Sequence, residues 1–153
     1  MVSLRISKSL LFSLSSVCTL LTTTHLLPAA AQGKVYEPIP IAPGKQISDK
    51  LTSKDIPTGQ SGFARDYVLE LAEGTQLAID LSSDNFDTII TLLASDGSTV
   101  AENDDGPDGT TNSLLFVRIT KTGTYYIRVR AFGELSAGNY KLKVTLLQSV
   151  EGK

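Results

Sequence analysis

The chain has 153 residues and a formal net charge of −2, a length that suits one domain with its own core rather than two. Its single histidine, cysteine and methionine (His25, Cys18 and Met1) all lie near the N-terminus, in a segment interpreted below as a removable leader. The mature protein would then lack imidazole and sulfur, which excludes Ser-His-Asp and Cys-His catalysis, ordinary zinc sites, haem and iron–sulfur ligation, and disulfides.

Residues 1–31 have the pattern of a signal peptide. Arg5 and Lys8 form a basic start, residues 9–21 are rich in leucine, and three alanines ending at Ala31 suit signal peptidase. We expect cleavage after Ala31, because the apolar run is too short and too diluted by Ser and Thr for a comfortable membrane span. Cleavage removes basic but no acidic residues, so the exported protein has no electrostatic reason to bind nucleic acid. The protein is predicted to be secreted or periplasmic, with no membrane anchor after cleavage.

A proline-rich segment follows the predicted cleavage site. Three prolines alternate with small or apolar residues between 32 and 45. Because proline fixes φ and lacks a backbone N–H donor, we expect an extended tether over 32–45 rather than a strand within a sheet. The folded domain is expected over residues 46–147, followed by a tail at 148–153.

Short runs with a two-residue period, separated by polar turns, fill the rest of the chain. Tyr67, Leu69 and Leu71 point one way while Asp66 and Glu70 point the other, which indicates a strand with one wet face. The same period of two recurs over residues 77–81, where three apolar residues alternate with Ala78 and Asp80. Residues 88–94 are apolar on both faces, as in a central strand. Turn residues such as Asp96-Gly97 fall in the gaps, and no segment shows sustained helical periodicity. We therefore predict an all-β fold, an antiparallel, jelly-roll-like β-sandwich of about eight strands.

Two C-terminal strands, 125–131 and 140–146, show the clearest alternation, and we expect them to form a hairpin through residues 132–139. A cationic stripe on the shared outer face would suit an acidic polysaccharide or protein surface, or would only keep the face soluble and block edge pairing. The stripe consists of Arg128, Arg130, Lys141 and Lys143 beside an exposed Tyr126, with Arg118 added from a preceding strand. Three tyrosines at inward positions are expected in the core with their hydroxyls hydrogen-bonded: Tyr67, Tyr125 and Tyr140.

Seven short motifs occur in a fixed order along residues 46–147. They are Tyr67-x-Leu69-x-Leu71, Glu73-Gly74-Thr75-Gln76-Leu77, Asn85-Phe86-Asp87-Thr88, Leu92-x-x-x-Asp96-Gly97, Glu102-Asn103-Asp104-Asp105-Gly106, Thr122-Gly123-Thr124-Tyr125-Tyr126-Ile127-Arg128-Val129 and Gly138-Asn139-Tyr140-Lys141-Leu142. Together they resemble the bacterial pre-peptidase C-terminal domain, which is similar in fold to the collagen-binding domains of clostridial collagenases. The resemblance implies a jelly-roll-like sandwich that usually sits behind the catalytic domain of a secreted peptidase. This chain departs from that arrangement, since no peptidase domain precedes the motifs.

Residues 80–108 hold eight acidic residues and no lysine or arginine. Clustered carboxylates repel one another without a cation, so adjoining loops at 83–87 and 103–109 would suit Ca²⁺, which binds hard oxygen ligands. The resemblance points the same way, because the collagenase-like relatives use calcium. The alternative is that residues 104–109 are only a solvated turn. The candidate metal ligands are Asp87, Asn103, Asp104, Asp105 and Asp108.

Three classes of function are consistent with these observations. The first is an exported, non-catalytic binding module that attaches to a surface, a matrix or a protein partner. The second is a chaperone, inhibitor or targeting factor for a separately encoded secreted peptidase. The third, an enzyme, is disfavoured because the segment after Ala31 has no Ser-x-x-Lys and offers only loop carboxylates. We expect a non-catalytic monomer with a protein or polysaccharide partner.

Overall fold

The computed structural model describes residues 36–59, 62–107, 109–133 and 137–148. Within these ranges there is no helix, and hence none long and apolar enough to cross a membrane. The predicted signal peptide, and the predicted tail beyond its first residue, lie outside the described residues. The described strands are β1 (Ile39–Pro40), β2 (Gln46–Leu51), β3 (Ile56–Pro57), β4 (Phe63–Leu71), β5 (Gln76–Ser82), β6 (Thr88–Ala94), β7 (Thr99–Asn103), β8 (Ser113–Arg118), β9 (Gly123–Ala131) and β10 (Gly138–Leu147).

These strands form two sheets. The six-stranded sheet has the order β1-β4-β9-β6-β7, with β3 added beside β4, and the four-stranded sheet has the order β2-β10-β5-β8. The longer strands all pair antiparallel, whereas the two-residue β1 runs parallel to β4. Apart from the short β1 and β3, the longer strands form a jelly-roll sandwich, so the predicted fold class is confirmed.

The predicted C-terminal hairpin is wrong. β9 pairs with β4 and β6 in the six-stranded sheet, whereas β10 pairs with β2 and β5 in the four-stranded sheet. An alternating pattern indicates which face of a strand is wet, but it does not identify the neighbouring strand. β9 ends at Ala131 and β10 begins at Gly138 in the opposite sheet, so these consecutive strands lie on opposite sides of the core.

The core lies between the inward faces of the two sheets. Ile127 and Val129 of β9 are fully buried, and so are Leu142 and Val144 of β10, in agreement with the predicted alternation. Leu146 is an exception: it lies near the end of β10 and is 48% exposed, so its predicted inward position is wrong. Strand β6 is buried on both faces, as its continuous apolar sequence predicts.

The proline-rich segment lies against the sandwich instead of extending away from it. Ile39–Pro40 forms an edge strand beside β4, and the Ile41 amide donates to the Val68 carbonyl oxygen at 3.0 Å. The Ile41 side chain is buried in the core. Proline is tolerated here because an edge strand needs few backbone donors. The predicted tether is therefore corrected for residues 36–45, and residues 32–35 lie outside the described residues.

Candidate functional site

The two acidic loops lie side by side at one end of the sandwich. The Thr88 amide donates to the Thr111 carbonyl oxygen at 3.0 Å, and the Ser83 amide donates to Asn112 Oδ1 at 3.1 Å. The hydroxyl oxygens of Thr88 and Ser113 are also hydrogen-bonded, 2.5 Å apart. The loop before β6 is therefore held against the loop before β8 by neutral groups.

Asn103 and Asp105 hold the second loop to β8. Asn103 Nδ2 donates to the carbonyl oxygens of Asp105 and Leu114, both at 2.8 Å. The Leu114 amide in turn donates to the Asp105 carbonyl oxygen at 2.9 Å. Asp87 also contributes its backbone, since its carbonyl oxygen accepts from the Phe132 amide at 2.7 Å. These bonds stabilise the loops without using a carboxylate oxygen.

The calcium site stays a prediction. Asp104 and Asp105 are exposed neighbours, and Asp108 lies outside the described residues. In the part of the chain that the structure describes, no three acidic, histidine or cysteine side chains are grouped closely enough to hold a metal ion. Both loops nevertheless carry the hard oxygen donors that calcium prefers.

On the outer face of the six-stranded sheet, two arginines of β9 are paired with carboxylates. Arg128 donates to Asp66 through Nε and Nη2, both at 2.8 Å, and Asp66 is buried. Arg130 Nη2 donates to Glu102 Oε2 at 2.8 Å, and the Thr91 hydroxyl donates to the same oxygen at 2.6 Å. The hydrogen bonds from Thr91 and Arg130 hold the pKa of Glu102 below its usual range. The positive charge of these two arginines is therefore compensated.

Tyr36 covers the buried carboxylate of Asp66. Its hydroxyl donates to Asp66 Oδ2 at 2.6 Å, and its ring centroid lies 6.3 Å from that of Tyr126. Partial burial, together with the hydrogen bond to Asp66, raises the pKa of the Tyr36 hydroxyl well above its usual value. Alternation predicts a wet face for Asp66, and that face is covered because Tyr36 and Arg128 both fold over it. Tyr126, expected beside a cationic stripe, contacts Tyr36 instead.

The outer face of the four-stranded sheet carries several exposed cations. Lys141 and Lys143 are exposed on β10, and the register places Lys143 opposite Asp80 of β5. The same face receives Lys50 from β2 and Arg118 from β8. No salt bridge within the described residues involves any of these four cations. We name the outer surface that they share the basic face.

The predicted cationic stripe is therefore divided between two faces. Arg128 and Arg130 lie on the six-stranded sheet, where carboxylates neutralise them, whereas Lys141 and Lys143 lie on the four-stranded sheet and form no salt bridge with any described residue. The error follows from the wrong hairpin, because a common face was inferred from a pairing that does not form. Lys50 was not predicted, since the sequence does not show that β2 pairs with β10.

Phe116 is a large exposed apolar side chain on the basic face. It is 63% exposed, and the register places it opposite Ala78 of β5. Leu115 and Val117 point toward the core on either side of it. Residues 114–117 are all apolar, so the sequence does not indicate which of them points outward. The register shows that Phe116 does, on the same face as Arg118 and on a strand at the sheet edge.

A cleft of about 530 Å³ opens on the basic face, over β2, β10 and the end of β5. Ser83 Oγ donates to the Asn139 carbonyl oxygen at 2.8 Å, and Asn85 Oδ1 accepts from the Asn139 amide at 2.8 Å. These two loop side chains extend the pairing of β10 beyond the last residue of β5. Asn85 also lies against Gly138, where a Cβ atom would come within 2.3 Å of the Asn85 Cβ. Polar and charged side chains line the cleft: Ser48, Lys50, Ser82, Asp84, Asn85 and Lys141.

A buried hydrogen-bond network begins at the wall of this cleft. The Tyr67 hydroxyl donates to Asp49 Oδ2 at 2.7 Å and lies 2.5 Å from the Tyr140 hydroxyl. Arg65 binds Asp49 at 2.5 Å and Asp55 at 2.6 Å. Burial opposes ionisation of Asp49, but hydrogen bonds from Arg65 and Tyr67 outweigh it and lower the Asp49 pKa. The predicted buried, hydrogen-bonded tyrosines are confirmed; their charged partners were missed because they lie far away in sequence.

Comparison with known proteins agrees with this architecture. Residues 64–131 match the family model described as the bacterial pre-peptidase C-terminal domain, which confirms the resemblance. The chain is similar to the pre-peptidase C-terminal domain of a collagenase from Bacillus anthracis, with a TM-score of 0.57 and 15% identity, over 73% of this chain and 98% of that one. It is also similar to PliG of Aeromonas hydrophila, a periplasmic inhibitor of g-type lysozyme, with a TM-score of 0.53 and 14% identity, over 71% and 95%. At such identities the likeness shows the fold alone, and no curated protein matches the chain.

Proposed function

We propose that this chain, whose residues 64–131 match the bacterial pre-peptidase C-terminal domain family, is a non-catalytic binding module that acts outside the cytoplasm. The basic face carries the proposal, because its four cations have no ion-pair partner among the described residues. The whole chain is acidic, so a local excess of positive charge favours a surface for an acidic partner over a general aid to solubility. Phe116 adds exposed aromatic area of the kind enriched in protein interfaces.

The proposal of a non-catalytic module rests on the chemistry of the side chains. The described residues include no histidine and no cysteine. Asp49 and Asp55 share one guanidinium, that of Arg65, and hydrogen bonds keep the Asp49 pKa low. A general acid or base needs a pKa near the working pH, whereas the hydrogen bonds from Arg65 and Tyr67 lower the pKa of Asp49 and occupy its oxygen atoms. Binding is therefore the function that these groups support.

Action outside the cytoplasm is supported by two features. Residues 1–31 have the charge and hydropathy pattern of a secretory signal peptide. One protein of similar fold, PliG, is periplasmic. We infer a secreted or periplasmic protein. Fractionation of cells that produce the protein, with detection of the chain and N-terminal sequencing, tests both the location and the cleavage after Ala31.

Binding of the purified protein to immobilised poly-glutamate, measured over a series of salt concentrations, tests the basic face. We expect binding that weakens with salt, since exposed charges are screened. Lys141→Gln with Lys143→Gln should weaken binding about tenfold, whereas the matched pair Lys54→Gln with Lys121→Gln, on turns, should change it less than about twofold. Equal losses in the two double variants would show that net charge, and not this face, is responsible.

A second candidate is an accessory role toward a separately encoded secreted peptidase, as chaperone, inhibitor or targeting factor. The family match and the fold shared with a lysozyme inhibitor favour it. The test adds an equimolar amount of the purified protein to peptidases secreted by the source organism and follows their hydrolysis rate and heat inactivation. A change in either rate supports this role, and unchanged rates leave the binding module as the function.

We also propose that calcium binds at the acidic loops, with Asp87, Asn103, Asp104, Asp105 and Asp108 as ligands. The oxygen chemistry of these groups and the adjoining position of their loops support the proposal. A ligand at ~100 times its dissociation constant adds about 2.7 kcal/mol of stability, which raises the Tm of a domain this size by several degrees. We expect that rise with Ca²⁺ but not Mg²⁺, and its loss in Asp104→Ala with Asp105→Ala. A Tm that is the same in EDTA and in Ca²⁺ would remove the proposal.

A further inference from the structure

Strand β8 is an edge of the four-stranded sheet, and alternate residues of an edge strand direct their backbone groups away from the sheet. β8 pairs with β5 on one side, and beyond its end the Ile119 amide donates to the Thr75 carbonyl oxygen on that same side. Leu114 bonds in the opposite direction, since its amide donates to the Asp105 carbonyl oxygen. By this alternation the N–H and C=O groups of Phe116 and Arg118 face away from β5.

The free edge of β8 is open at these two residues. At Leu114 the edge is closed, because Asp105 accepts from its amide and Asn103 donates to its carbonyl oxygen. No corresponding bond to Phe116 or Arg118 occurs among the described residues. Natural edge strands are commonly blunted by charge, proline or a bulge. Here Arg118 supplies a charge, but the 63% exposed Phe116 offers the apolar contact that favours strand pairing.

We propose that the edge of β8 at Phe116 and Arg118 accepts an extended, acidic segment of a partner protein as an additional strand. This inference rests on the proposed function and specifies how the basic face holds its partner. The added strand would form hydrogen bonds with the outward N–H and C=O groups of Phe116 and Arg118, and its side chains would supply selectivity. On the basic face, an apolar partner residue would lie opposite Phe116 and a carboxylate two residues along would lie opposite Arg118.

Charge favours an acidic partner over a second copy of this chain. Two copies joined through β8 would place two basic faces edge to edge, and on each face the four cations, which form no salt bridge within the described residues, outnumber Asp80 and Asp84. Like charges brought together in this way oppose association. An acidic strand instead brings carboxylates toward these same cations, so attraction and strand pairing act together.

The test uses a synthetic peptide with threonine at odd positions and alternating valine and aspartate at even positions. The matched variants are Arg118→Ala and Arg118→Pro, which remove the same charge. Only the proline also removes the outward N–H of residue 118, and it breaks no bond to β5 because that N–H faces the free edge. A second peptide, N-methylated on the edge that would face β8, keeps every side chain but cannot complete the ladder.

We expect the peptide to bind the unmodified protein and to protect the Phe116 and Arg118 amides from hydrogen exchange. Arg118→Pro should bind about tenfold more weakly than Arg118→Ala, with both variants folded by thermal melting, and the N-methylated peptide should lose binding. Equal affinities for both variants and both peptides would overturn strand addition while leaving charge attraction to the basic face. A dimer in sedimentation that Arg118→Pro abolishes would overturn the acidic partner in favour of a second copy. Failure of both the peptide and poly-glutamate to bind would overturn the proposed function itself.

Discussion

Arg128 holds Asp66 through two nitrogen atoms, each 2.8 Å from a carboxylate oxygen, on the outer face of the six-stranded sheet. The Asp66 side chain is fully buried, whereas that of Arg128 is 33% exposed. On the opposite sheet, Lys143 lies in register with Asp80 without forming a salt bridge. One outer face is therefore closed by internal pairing and by Tyr36, whereas the cations of the other face form no salt bridge within the described residues.

Replacing Asp66 with Asn should destabilise the protein by about 2 to 3 kcal/mol. The change leaves Arg128 without its counter-ion and weakens the acceptor of Tyr36, and breaking a buried ion pair is costlier than breaking an exposed one. Urea unfolding at neutral pH measures the difference. Glu70→Gln, on the same strand but exposed, should cost under about 0.5 kcal/mol. Similar losses in the two variants would contradict the special role of the buried pair.

The fold class can be predicted from the sequence because the order of apolar and polar residues in each strand depends on which of its faces are buried. The period of two places Ile127 and Leu142 in the core, and the continuous apolar run 88–94 is buried on both faces, as expected. The same pattern does not identify the neighbouring strand, because pairing depends on the three-dimensional path of the turns and sheets. For that reason the prediction that β9 and β10 form one hairpin is wrong.

The candidate site is only partly visible in the sequence, for the same reason. The sequence alone indicates that Lys141 and Lys143 are exposed cations on one strand. Whether a carboxylate forms a salt bridge with them depends on residues from other strands. Arg128 pairs with Asp66, from which it is separated by 62 positions in the chain, and no local pattern indicates that contact. Tyr36 lies in a segment whose prolines suggest a free tether, although its hydroxyl binds that same Asp66.

Replacing Tyr67 with Phe should destabilise the protein more than replacing Tyr140 with Phe. The Tyr67 hydroxyl contacts both Asp49 Oδ2 and the Tyr140 hydroxyl, so its removal deprives both groups of that hydrogen bond, at roughly 1 to 3 kcal/mol. Loss of the Tyr140 hydroxyl leaves Tyr67 still bound to Asp49. In thermal or urea unfolding, the double variant should cost less than the sum of the two, because the groups form one network. Strict additivity would contradict a shared network.

Replacing Gly138 with Ala should destabilise the start of β10. Its φ of +154° is one that residues with a side chain rarely adopt, and an added Cβ would meet Asn85 at 2.3 Å. We expect a loss of about 1 to 3 kcal/mol in urea unfolding, together with faster hydrogen exchange at the Asn139 amide that Asn85 accepts. Gly123→Ala is the matched control, since no atom lies within 4 Å of its added Cβ. Equal stabilities of the two variants would show that the loop at Asn85 adjusts without cost.

Stability should fall as the pH is lowered below about 4, and Asp49 should account for part of that fall. Arg65 and Tyr67 hold the folded-state pKa of Asp49 below its unfolded value, against the effect of burial. A lowered pKa means that the unfolded chain takes up the proton first, so the stabilisation is complete above the unfolded pKa and is lost as the pH falls through the folded one. Asp49→Asn should therefore reduce stability at neutral pH and flatten its decline in acid, as measured by urea unfolding between about pH 7 and 2.5. Asp80→Asn is the control, because no hydrogen bond or salt bridge of the Asp80 side chain occurs among the described residues. If the free energy of unfolding of Asp49→Asn declined in acid as steeply as that of the unmodified protein, the contacts of Asp49 with Arg65 and Tyr67 would not account for any of the decline.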